Sequence, residues 1–108
     1  KPTVDELVRF VPTIIVTHPL GPRDNLELYR LLGGIFDRVA RAGQLCDEFE
    51  RAYDGVVATC AGLSRQKVLY LIWRKPWMTV ARDTYISRTL ALVHWDTLPA
   101  RAHLFFRE

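Results

Sequence analysis

Val68-Leu69-Tyr70-Leu71-Ile72-Trp73-Arg74-Lys75-Pro76-Trp77-Met78-Thr79-Val80 is the stretch whose reading decides the fold class. Val68 to Trp73 is apolar on both alternating faces, which suits a buried parallel strand better than a half-exposed one. Arg74-Lys75-Pro76 breaks the run, because proline offers no N–H to a sheet ladder. Met78-Thr79-Val80 then reads as a short extended piece and Ala81-Arg82-Asp83-Thr84 as a turn. Ile86, Leu90 and Val93 return helical spacing up to His94, and Trp95 to Pro99 leaves that helix.

Working outward, a second β-branched run, Thr13-Ile14-Ile15-Val16-Thr17, predicts another buried strand. His18-Pro19-Leu20-Gly21-Pro22 follows as a loop. Val4 to Phe10 has the spacing of a short helix, stopped by Pro12. Strands alternating with helices place the chain in the α/β class.

Between the two strand patterns lies the strongest periodic signal. Apolar positions advance in alternating steps of four and three from Leu28 through Leu32, Ile35, Val39, Ala42, Cys46, Phe49 and Tyr53 to Val56 and Cys60. Asp24 opens this helix, with Glu27 placed as in a capping box. Asp37–Arg41 and Asp47–Arg51 are spaced as ion pairs on the opposite face. Unbroken from Asp24 to about Ala61, the helix is roughly 55 Å long. Gly33-Gly34, Gly43 and Gly55 each weaken it by about 1 kcal/mol relative to Ala, which makes sense where another backbone packs close. Gly62 and the basic Ser64 to Lys67 connector end it.

Composition narrows the function classes. The 108 residues suffice for one small domain, and 49% hydrophobic with 25% charged is ordinary for a globular chain. The net charge of +3 is dispersed, with no Lys/Arg block, so nucleic-acid partners are excluded as a first reading. No apolar run is long enough to span a membrane. Cys46 and Cys60 are separated by about 21 Å of helix and cannot bridge within it, so both are expected as small core residues. No signal-peptide pattern is visible, and Lys1 in place of a start methionine suggests a processed or excised chain. His18, His94 and His103 lack metal-helix spacing, and there is no CxxC, GxSxG, phosphate loop or GxGxxG. The expectation is a binding protein and not an enzyme, with no catalytic residue, metal site or catalytic cofactor.

Ligands of open α/β sheets collect beyond the carboxyl ends of the strands. One such end gives His18. The other gives Trp73, Arg74, Lys75, Pro76, Trp77 and Met78, an unusual group for a loop. Large apolar side chains there need a cover, and a broad flat ligand supplies one. Indole faces stack on conjugated rings, while Arg74 or Lys75 pairs with a carboxylate or phosphate.

Val68 to Val80, followed by Asp83-Thr84-Tyr85-Ile86, resembles the start of the second lobe of the periplasmic cobalamin- and iron-chelate-binding proteins, also called helical-backbone metal receptors. Thr13 to Thr17 looks like the last strand of the first lobe, and Asp24 to Ala61 like the helix that joins the lobes. The resemblance implies a fragment of a two-lobe solute-binding protein: residues 1–23 the end of the first lobe, 24–62 the interlobe helix, 63–108 the start of the second lobe. It further implies a corrinoid, haem or ferric-siderophore ligand in an interlobe cleft, delivered to the permease of an ABC importer. The parent would be periplasmic or a cell-surface lipoprotein. By this analogy Trp73, Arg74, Pro76, Trp77 and Met78 face the cleft from one lobe and His18 from the other, with Trp77 matching an aromatic that packs on the ligand in vitamin B12-binding members. Two features depart from the family: its usual Ala-Gly-Gly after the second-lobe helix is Val93-His94-Trp95 here, and Arg101 to Glu108 matches nothing. The alternative function is a helical interaction module, with the stripe from Leu28 to Cys60 pairing two chains as a coiled coil. A fragment of this kind exposes strand edges and apolar faces, so the isolated chain is expected to self-associate.

Overall fold

The computed structural model describes residues 2–100 of the chain, and the Arg101–Glu108 tail, which the sequence leaves open between helix and strand, lies outside them. The elements run in the order α1 (Pro2–Leu7), α2 (Asp24–Ile35), α3 (Val39–Cys60), β1 (Gln66–Val68), β2 (Leu71–Arg74), β3 (Trp77–Thr79), α4 (Tyr85–Ala91) and β4 (Trp95–Thr97).

The helical stripe is two helices instead of one. The break falls at Phe36-Asp37-Arg38, where Asp37 adopts φ 53°. That left-handed conformation is unfavourable for most side chains but tolerated by Asp, and one residue in it turns the chain back. α3 packs against α2. At 22 residues it is about 33 Å long, so the roughly 55 Å rod is not formed. Leu26 of α2 and Ala42 and Cys46 of α3 are buried, and the Cys46 thiol donates to the Leu26 carbonyl at 3.5 Å. Gly33 is the contact point. A Cβ there would lie 2.5 Å from the Ala42 Cβ and 3.1 Å from the Arg38 carbonyl oxygen, whereas Gly34, Gly43 and Gly55 face open space. The close-packing reason for glycine therefore holds at Gly33 alone.

Two local expectations change. The Asp24 carboxylate does not cap α2. It accepts from the backbone N–H groups of Leu20 and Gly21 at 2.7 and 3.0 Å, bracing the preceding loop. The i,i+4 pairs give way to others: Asp37 has left the helix, and Arg41 lies 3.6 Å from Glu48. Arg23 lies 4.0 Å from Glu50 and stacks over the Tyr53 ring at 5.0 Å, tying the start of α2 to α3.

Neither apolar run becomes the long strand its pattern predicts. Among the described residues Thr13 to Thr17 has no pairing partner and carries no strand. Without a neighbouring strand its N–H and C=O groups have no ladder to join. Val68 to Trp73 divides at Leu69-Tyr70. β1 ends at Val68 and pairs in parallel with β4, Gln66 opposite Trp95 and Val68 opposite Thr97. β2 instead pairs antiparallel with β3 across Lys75-Pro76. Trp95 to Thr97, expected only to leave the helix, is β4.

The β1–α4–β4 order, a parallel pair with a helix between, supports the α/β reading. α4 packs on β4 and is capped by Thr84, whose hydroxyl oxygen accepts from the Ser87 N–H at 3.2 Å. Ser87 and Thr97 are buried, and their hydroxyl groups hydrogen-bond each other. Val80 and Ala81 complete the small core of this half. His94, in the turn between α4 and β4, lies in the left-handed region at φ 62°. Its carbonyl accepts from the Gln66 N–H at 2.8 Å, and its Nδ1 lies 2.6 Å from the Leu63 carbonyl, to which the ring donates. Beside it, Arg65 grips Asp96 through Nε and Nη2 at 2.9 and 2.6 Å.

Candidate functional site

Trp73 and Arg74 close β2, Pro76 occupies the turn, and Trp77 and Met78 open β3. A two-residue turn thus gathers the whole group on one hairpin, not on a loop beyond a single parallel strand. The Lys75–Pro76 bond is cis. The Trp73 indole N–H donates to the Lys75 carbonyl at 2.8 Å, fixing the ring across the turn. The Thr79 hydroxyl donates to the Tyr70 carbonyl at 2.7 Å and holds the open end.

Register separates the two indoles. Trp73 stands opposite Met78, and Arg74 opposite Trp77. Directly opposed residues share a face, and successive residues alternate. One face therefore carries Trp73 with Met78, the other Trp77 with Arg74. The tryptophans cannot close on one ring like jaws. The second face joins an indole to a cation, the arrangement that suits an anionic conjugated ligand. Among the described residues the hairpin packs against no other helix or strand. Trp73 is 62% exposed and Trp77 37%, so neither is a core plug.

His18 lies elsewhere. It lines a groove of about 690 Å³ between residues 16–20 and α2, with Leu20, Asp24, Glu27, Leu28 and Leu31 among its other walls. None of the hairpin residues lines it. The structure brings the hairpin group together and leaves His18 apart from it. The sequence reading gave Asp24, Glu27 and Leu28 helical roles and no place in a site, although with Leu31 they share a helical face by spacing. Among the described residues there is no group of His, Cys, Asp and Glu suited to a metal ion, and no helix long and apolar enough to cross a membrane.

No family model and no curated protein matches the sequence. Solved structures do match the fold. An ABC transporter substrate-binding protein from Listeria monocytogenes EGD-e superposes with a TM-score of 0.65 at 16% identity, over 78% of this chain and 33% of its own. A possible iron-binding (periplasmic solute-binding) protein from Staphylococcus epidermidis ATCC 12228 gives 0.66 at 14% identity, over 88% of this chain and 38% of its own. The chain has the fold of part of a solute-binding protein and spans 33% of one neighbour and 38% of the other.

Proposed function

We propose that this chain belongs to a solute-binding protein that captures a metal-chelate ligand, a corrinoid, haem or ferric siderophore, and passes it to an ABC importer permease. The protein is a binder and not an enzyme, and works outside the cytoplasm, in the periplasm or as a cell-surface lipoprotein. The fold likeness supports the solute-binding part of this reading. The observation that carries the ligand class is the exposed hairpin face on which Trp77 stands opposite Arg74. Trp77 stacks on the conjugated ring and Arg74 meets its acidic substituent. Met78 and Trp73 form the opposite face, Pro76 shapes the turn, and His18 approaches from the first lobe.

The test is titration of the longer protein that contains this chain with cobalamin, haemin and ferric chelates, followed by tryptophan fluorescence. Quenching by at least one is expected. Trp77→Ala should weaken that ligand by about 1–3 kcal/mol, the usual scale for an aromatic platform. Absence of quenching by all of them overturns the reading, and unchanged affinity of the variant removes Trp77 from the site. The coiled-coil alternative gains nothing from the structure: the chain folds back at Asp37, and α2 takes part of the stripe of α3.

A further inference from the structure

Among the described residues the α2–α3 pair and the β1–α4–β4 unit, to which the hairpin is joined through Leu69-Tyr70, form two halves whose helices and strands do not pack on each other. α2 packs with α3, β1 and α4 pack with β4, and β2 with β3, but no helix of the first pair packs against an element of the strand half. Most of their buried residues are separate too: Leu26, Ala42 and Cys46 in one half, Val80, Ala81, Ser87 and Thr97 in the other, with Cys60 buried at the junction, where α3 ends. The covalent connection is short. Leu63 is held to the strand half through His94, and its own N–H donates to the Cys60 carbonyl at 3.0 Å, so the chain pivots within the single turn at Ala61-Gly62, with open space around Gly62.

A second connection crosses between the halves. The Arg88 guanidinium donates through Nη1 to the Leu20 carbonyl at 3.1 Å. The Asn25 side-chain amide donates to the Tyr85 hydroxyl at 2.8 Å, and also to the Pro22 carbonyl at 2.9 Å. Tyr85 and Arg88 are three residues apart on α4 and share one face of it. The receiving loop is braced: Asp24 holds the N–H groups of Leu20 and Gly21, so the Leu20 carbonyl is fixed in direction.

We infer that Tyr85 and Arg88 form a two-point clamp, Arg88 on the Leu20 loop and Tyr85 on Asn25 in the first turn of α2, which sets the angle between the helical half and the strand half about the Ala61-Gly62 pivot. They are positioning residues. The inference concerns the geometry of this chain and stands whether or not the ligand reading does. If that reading holds, the same clamp sets the distance between His18 and the Trp77 face.

The experiment is a spin-label distance measurement on the full 108-residue chain. Labels go on Gly34→Cys of α2 and Lys67→Cys of β1, both exposed, and Cys46 and Cys60 are buried and stay unlabelled. Dilution with excess unlabelled chain removes distances between copies. The clamped chain should give one narrow distribution. Arg88→Ala combined with Tyr85→Phe should widen it at least twofold or add a second distance, with far-UV circular dichroism unchanged. Arg88→Lys with Tyr85 retained keeps a donor and should restore most of the narrow peak. Should the double variant lose its circular dichroism signal, Asn25→Ala with Arg88→Met, which removes both donors and keeps a good helix former in α4, takes its place with the same expectation. An unchanged centre and width in the folded variant overturns the clamp.

Discussion

Asp96 shows how much of the strand half depends on one side chain. Its carboxylate receives two hydrogen bonds from Arg65, whose Nη2 also donates to the Ala91 carbonyl at 3.3 Å, so β4, the end of α4 and the connector before β1 meet at one point. Those hydrogen bonds hold the Asp96 carboxyl below the ordinary carboxylate range. The charges of Arg65, Arg82 and His94 act the same way, against a partial opposing effect of desolvation. A carboxyl depressed in the folded state contributes stability that is present above its ordinary value near about 4 and is lost as pH falls below it. Asp96→Asn removes the charge but keeps the shape. Its denaturation midpoint should lie below that of the native chain at neutral pH, and the gap should close as pH is lowered past about 4. A gap of constant size across that range would show that the pair contributes nothing pH-dependent. His94 carries a different lesson at this scale. The sequence shows a histidine where the resembling family has glycine, and the structure finds that position left-handed, with the ring hydrogen-bonded to Leu63. The backbone demand that glycine would meet is visible in the departure itself; the compensating hydrogen bond, to a residue far away in sequence, is not.

At the scale of elements, the glycines of the helical stripe separate two effects that sequence alone merges. Gly33 faces Ala42 so closely that an added methyl must push α2 and α3 apart or displace the Arg38 carbonyl, while Gly55 faces open space. Gly33→Ala gains up to about 1 kcal/mol of helix propensity but incurs overpacking of about 1–3 kcal/mol. It should lower the thermal midpoint. Gly55→Ala keeps the propensity gain alone and should raise it. Measured side by side by circular dichroism, equal shifts of the same sign would mean that Gly33 is not a close contact between α2 and α3. This contact also explains what was legible. The stripe reads continuously through Phe36 to Arg38 because a single left-handed residue deletes no apolar position, and Asp tolerates that conformation without glycine marking it. Periodicity finds α2, α3 and α4 but cannot see the reversal. In the same way Val68 to Trp73 is visibly strand-forming, yet nothing local says that its first part pairs in parallel with a strand thirty residues on while its second part folds onto Trp77–Thr79. Pro76 announces the turn and so the grouping of the aromatic site; which indole shares a face with Arg74 depends on register, which only the pairing fixes.

The whole molecule is flat and open. Its extents are 44 × 40 × 17 Å and its radius of gyration is 18.0 Å, against about 13 Å for a compact domain of this length. A helix with side chains is about 10–12 Å across, so 17 Å leaves little room for a second layer over most of the molecule. The accessible surface of 8582 Å² exceeds the about 6,200 Å² of a compact protein of this mass. The difference, roughly 2,400 Å², is as large as the surface that obligate interfaces cover. Much of the exposed surface is apolar: Ile15 and Val16 beside the groove, Ile35, Phe36 and Val39 at the helical turn, Leu71, Ile72 and Trp73 on the hairpin. Thr13 to Thr17 adds backbone groups with no ladder, and each two-stranded sheet leaves open edges. In a longer solute-binding protein the remaining layers of both lobes would cover these surfaces. In the isolated chain a second copy is the nearest source of such layers. The isolated 108 residues should therefore run as dimers or larger species in light scattering at micromolar concentration, and the mass should fall on dilution. Phe36→Asp and Ile72→Lys place charges on two of the exposed apolar surfaces and should each shift the distribution toward smaller species. A compact monomer that unfolds cooperatively would show that the chain closes its own core, and would rule out the open two-half arrangement described here.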